Sequence, residues 1–167
     1  MVPILVTSSR LSCRTLHWAG DVSALWGYAS IMNVLLADNS VPVRWALRTF
    51  VQEQLGWTVV AEAADSEALL AAALALRPDI ILLEWDLPGQ PARDVLRALH
   101  RQLESARIVV LNDNPERRGV ALRAGADAFI CKIGPPQEVL TVLAVLSVNL
   151  ARRPHSHGPN RIYQTQS

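Results

Sequence analysis

From about residue 33 onward, short apolar runs alternate with segments whose apolar residues recur at helical spacing. The run 33–38, Asn-Val-Leu-Leu-Ala-Asp, reads as a strand. Val43, Ala46, Leu47, Phe50, Val51 and Leu55 then return every three or four residues, which gives a helix with one apolar face. Residues 57–63 form a second strand. Asp65 and Ser66 cap a helix that runs to about Arg77, where Pro78 stops it. Residues 80–83 are apolar without alternation, as a strand covered on both faces should be. Ala92, Val95, Leu96, Leu99 and Leu103 make the next helical face, and 108–111 a fourth strand. Asn114-Pro115 predicts an N-cap followed by proline at the first helical position, with Gly125 closing that helix. Residues 128–131 are the fifth strand, and Gly134-Pro135-Pro136 opens a last helix reaching about Arg152.

Five strand–helix repeats imply a doubly wound α/β domain of flavodoxin-like (βα)5 type. Its parallel sheet has right-handed crossovers and helices on both faces, and occupies residues 32–152. Residues 1–31 lack sustained periodicity and are expected to be an extension without structure. They do not read as a secretory signal, because the apolar start is short and is soon interrupted by Arg10 and Arg14. Met32, directly before the first strand, is the expected natural start. Residues 153–167 are rich in Pro, His, Gly and Gln and read as a solvated tail, with no room after Arg153-Pro154 for a helix-turn-helix output domain.

Composition narrows the function classes. A formal net charge of +1 gives no global electrostatic reason to expect nucleic acid or an anionic membrane as partner. The most apolar helical stretch, 139–150, is shorter than the ~20 residues of a membrane span. Cys13 and Cys131 are too few for a disulfide framework and fit a reducing cytoplasm. Cys131 reads as a small hydrophobe, and His155 and His157 have no metal-ligand company.

The candidate chemistry lies at the strand ends. Residues 79–89 read Asp-Ile-Ile-Leu-Leu-Glu-Trp-Asp-Leu-Pro-Gly, a buried strand running into a Pro-Gly turn with Glu84 at its carboxyl end. Open α/β sheets place their sites in the crevice outside such ends. Asp38 ends the first strand, and Asn112 and Lys132 come directly after the fourth and fifth. No glycine-rich phosphate cradle stands after the first strand, so a flavodoxin-like nucleotide-binding enzyme is the weakest reading.

In order and spacing these segments resemble the receiver domain of bacterial response regulators. Leu35-Leu36-Ala37-Asp38-Asn39 is similar to that family's first strand and acidic pair, with Asn39 in place of the second acid. Glu84-Trp85-Asp86-Leu87-Pro88-Gly89 resembles the phosphoacceptor loop, with Glu84 where the family has Asp. Asn112 stands for the usual Thr or Ser, Phe129 for the switch aromatic, and Lys132 for the family's lysine. The resemblance implies a non-enzymatic module of two-component phosphorelay signalling. It also implies a histidine kinase or other signalling protein as partner, and Mg2+ held by Asp38, Glu84 and Asp86.

The substitutions bear on that chemistry. Phosphoryl transfer depends on positioning and electrostatics. Mg2+ requires near-octahedral oxygen ligands at about 2.0–2.1 Å. Glu84 moves the carboxylate by about 1.5 Å relative to Asp, Asn39 removes a charge, and Asn112 offers an amide for a hydroxyl. The expected result is an atypical receiver, or pseudo-receiver, with weakened Mg2+ binding, in which Glu84 pairs with Lys132 and docking replaces catalysis. The alternative is a working phosphoacceptor in the Glu84/Asp86 loop. Phe129 is expected to be fixed core, and Trp85 to shield the rim of the site. The last helix is apolar nearly all round, which suggests a homodimer or another protein packed on it; Arg117, Arg118 and Arg123 on the preceding helix would supply a charged rim.

Overall fold

The computed structural model describes residues 32–151; the expected extension 1–31 and the tail from 153 lie outside the described residues. Five strands alternate with five helices: β1 (Asn33–Ala37), α1 (Val41–Leu55), β2 (Thr58–Ala63), α2 (Ser66–Leu76), β3 (Ile80–Glu84), α3 (Ala92–Gln102), β4 (Arg107–Asn112), α4 (Arg117–Arg123), β5 (Ala128–Cys131) and α5 (Pro136–Ala151). The sheet is wholly parallel in the order β2-β1-β3-β4-β5. The winding reverses between β1 and β3, so the crevice of the fold opens where Asp38 and Glu84 leave the sheet.

Alternate residues of each strand serve two separate apolar layers. Leu35, Ile81, Leu83, Ile108, Val110 and Phe129 pack under α2, α3 and α4, against Leu69, Leu96 and Ala121 among others. Val34, Leu36, Ile80, Leu82, Val109 and Ile130 pack under α1 and α5, against Val51, Leu143 and Leu146. Every residue of β3 is buried, the reason that its sequence shows no polar alternation.

Helix ends obey local chemistry. The Asp65 side chain accepts from the backbone N–H of Ala68 at 2.8 Å, capping α2. Gly56 closes α1 in the left-handed region, and Arg77 does the same for α2 at φ 44°. The expected start of α4 needs correction. Asn114 Oδ1 accepts from Glu116 N–H at 2.9 Å, which turns residues 114–116 before the helix and delays its start to Arg117.

One contact ties the third strand's exit loop to α2. Ser66, buried at the start of α2, donates its backbone N–H to Pro88 O at 2.9 Å and accepts from Gln90 N–H through Oγ at 2.7 Å. Gly89, between them, has φ +102°, and a Cβ there would lie 2.2 Å from Ser66 Oγ. Only glycine meets both demands.

Candidate functional site

Four strands deliver the site at their carboxyl ends. Glu84 is the last residue of β3 and Asn112 of β4, while Asp38 and Lys132 are the first residues beyond β1 and β5. Backbone bonds fix these exits: Asp38 N–H donates to Ala63 O at 3.1 Å, Trp85 N–H to Leu111 O at 2.9 Å, and Lys132 N–H to Asn112 O at 3.0 Å. Asp38, Glu84 and Asn112 are buried, so each polar atom needs a partner within the protein.

Lys132 supplies the central one. Its Nζ lies 3.0 Å from Asp38 Oδ2 and also pairs with Glu84 Oε2. The second oxygens are used as well. Asp38 Oδ1 accepts from Ser40 N–H at 2.8 Å, and Glu84 Oε1 accepts from Asn112 Nδ2 at 2.9 Å and Asp86 N–H at 3.1 Å. Asn112 Nδ2 also donates to Asp86 Oδ2 at 3.0 Å, and Asn112 Oδ1 accepts from Asn114 N–H at 3.1 Å. One ammonium and one amide thus link three carboxylates.

Burial is the largest single influence on Lys132 and pulls its pKa down. The hydrogen bonds and negative charges of Glu84 and Asp38 together outweigh it, leaving the pKa above a lysine's ordinary 10.5. A raised value in the folded state means stability that is fully present below 10.5 and is lost as pH rises through the folded value. Denaturation midpoints measured from neutral to strongly alkaline pH should fall at the alkaline end. That fall should shrink when Lys132 is replaced by methionine.

The structure brings together Asp38, Glu84, Asp86, Asn112 and Lys132, but not Asn39. With Ser40 N–H bound to Asp38 Oδ1, the chain turns into α1 and Asn39 is exposed. Asn39 shares no hydrogen bond with these groups among the described residues. The expected metal ligands also need correction. Asp38 and Glu84 direct their oxygens at Lys132, Asn112 and backbone N–H groups, while exposed Asp86 is held by Asn112. Among the described residues, no cluster of three or more His, Cys, Asp or Glu is disposed to hold a metal. A cation of Mg2+ type needs about six oxygen ligands, and an ammonium stands between the two buried carboxylates. The residues present do not fit that ion.

Phe129 is buried in the layer under α4, and Arg118 lies over its ring at 5.8 Å. Trp85 is also buried in that layer, so it packs in the core more than it shields a rim. Cys131 is only half-buried, its Sγ 3.6 Å from Asp113 O. Sequence reasoning missed Arg44. Its Nη1 donates to Asp38 O at 2.6 Å while Nε pairs with Glu62 at 3.1 Å, and Arg48 joins Glu62 at 2.6 Å. Nothing in the spacing of α1 marks Arg44, because its partners come from β2 and the end of β1.

No helix of the described residues is long and apolar enough to cross a membrane. Residues 34–144 match the family described as the response regulator receiver domain. The nitrate/nitrite response regulator NarL of Escherichia coli K12 is 32% identical over 112 residues, covering 66% of this chain and 52% of that protein. The chain spans about half the length of the curated relatives it matches. The receiver domain of RcsB from Salmonella enterica serovar Typhimurium, solved with the phosphomimetic BeF3−, superposes with a TM-score of 0.65 at 26% identity, covering 71% of this chain and 90% of that one. RcsB bound to promoter rprA gives a TM-score of 0.62 at 26% identity, covering 69% and 67%. That DNA complex leaves the expected absence of a nucleic-acid partner without support from kinship. In sequence match, strand order and the residues gathered at the strand ends, this chain belongs to the receiver-domain family of two-component response regulators.

Proposed function

We propose that this receiver is atypical and signals by docking, with the Glu84–Lys132 pair in place of a phosphorylation switch. The observation that supports this is the occupancy of the lysine. Its ammonium, which would bind phosphoryl oxygens in the family's chemistry, is shared by two buried carboxylates. The Asn112 amide, at the hydroxyl position, bridges Glu84 and Asp86. Phosphate would have to displace both, without a metal to offset the added negative charge. Glu84 imitates phosphate only in part, with one charge and two oxygens against a phosphoryl group's greater charge and three.

The partner in this reading is a histidine kinase or another signalling protein in the cytoplasm. The last helix offers one surface for it or for a second copy, since Val145 and Val148 on α5 are about half exposed. Incubation with Mg2+ and acetyl phosphate, then intact-mass measurement, should leave the protein without a phosphoryl adduct. A stoichiometric adduct on Glu84 or on exposed Asp86 would establish the alternative, a working phosphoacceptor.

A further inference from the structure

A second concentration of charge lies on α3 and α4, away from the strand-end carboxylates. Arg93, Arg97 and Arg101 stand at four-residue intervals on α3, so they share one side of the helix, each about 6 Å along the axis from the last. Arg123 faces them from α4 across a cleft of about 690 Å³, with Val120 in its wall. His100 lines the same cleft, its Nδ1–H donating to Leu96 O at 2.8 Å. All four arginines are exposed. Arg97 pairs with Asp94 at 3.2 Å, but Arg93, Arg101 and Arg123 have no carboxylate within ion-pair distance among the described residues.

We propose that this cleft is a docking groove for an extended, acidic segment of a partner protein. The sign of the charge requires an anionic partner, and guanidinium forks bind carboxylates with two parallel hydrogen bonds. Spacing favours an extended chain. Alternate side chains of a strand recur on one side about every 6.6 Å, close to the roughly 6 Å step of the α3 arginines. Val120 in the wall suits an apolar residue between the acids. A small-molecule site would hold its polar groups buried and convergent, whereas these are exposed on long stems.

Duplex nucleic acid fits less well. Its charges follow one another about every 1.7 Å of axis, far closer than the roughly 6 Å step of the α3 arginines. The chain's net charge is only +1, and Asp94 stands between Arg93 and Arg97 in the chain, with Glu104 just beyond Arg101. Arg93 also lines a hollow of about 520 Å³ beside Trp85 and Asp86, so a bound segment would lie against the loop after Glu84. The groove would serve equally whether or not Glu84 accepts phosphate.

The test is a titration of the full chain with a labelled peptide of alternating glutamate and leucine at low salt. A glutamine–leucine peptide and a duplex oligonucleotide serve as comparators. The glutamate peptide should bind, with affinity falling as salt rises. The variant R93Q/R101Q/R123Q should weaken it about tenfold with an unchanged circular dichroism spectrum. Arg48→Gln, on α1, should leave binding unaltered. No binding of the glutamate peptide, equal binding by the triple variant, an equal loss in Arg48→Gln, or arginine-dependent binding of the duplex alone would overturn the proposal.

Discussion

Replacing Lys132 with methionine is expected to lower the folding free energy by about 3–5 kcal/mol, because two buried carboxylates then lose their shared counter-charge. The carboxylates of Asp38 and Glu84 are almost wholly shielded from solvent, with side chains 1% and 6% exposed. Water reaches this site from the lysine's side, where the Lys132 side chain is 20% exposed. Domains of this size are stable by only about 5–15 kcal/mol, so the loss would be plain in a urea denaturation curve. Removing the charges together tests the cause: the variant D38N/E84Q/K132M should recover much of the stability lost by Lys132→Met alone. A loss below about 1 kcal/mol, the range of exposed ion pairs, would mean that the ammonium does not hold the site together.

Leu82→Ala is the second large effect, on a different basis. Leu82 is fully buried at the middle of β3, paired in register with Leu36 and Val109 and roofed by α1 and α5. Truncation removes its transfer free energy and leaves a cavity that the parallel sheet cannot collapse into, a cost of about 2–5 kcal/mol. Leu82→Met should cost less than about 1.5 kcal/mol, since volume is nearly kept. Val145→Ala, on the exposed side of α5, should stay within about 0.5 kcal/mol. Thermal or urea unfolding of the three variants separates these outcomes. A Leu82→Ala protein as stable as Val145→Ala would contradict the two-layer core.

The strands were legible because burial on both faces leaves no choice but apolar residues: Ile80 to Leu83 could be read directly, and alternation with helices implied the winding. Helix starts were less legible where a side chain competes with the backbone. Asn114-Pro115 carries the composition of an N-cap, yet Asn114 Oδ1 bonds Glu116 N–H and spends those residues in a turn. At the site, chain order alone indicated that Asp38, Glu84 and Lys132 meet at one rim. It could not show that Asn39 stays exposed outside the hydrogen-bonded network, or that a single Asn112 amide ties Glu84 to Asp86. Those outcomes depend on where a backbone N–H happens to point, which residue type does not encode. The arginine row on α3 was present in the spacing of 93, 97 and 101, but its partner Arg123 comes from another helix and joins it only in the folded chain.

The stitch between Ser66 and the backbone on either side of Gly89 has a practical corollary for anyone rebuilding this domain. The segment from Glu84 to Gln90 is not a transplantable part, because one N–H and one carbonyl of its backbone find their complements on the first residue of α2. Grafted alone onto a related scaffold, the segment would arrive with both groups orphaned and its glycine free to collapse into other shapes. The smallest unit that carries its own geometry therefore runs from Asp65 to Gln90, a strand together with the helix that precedes it.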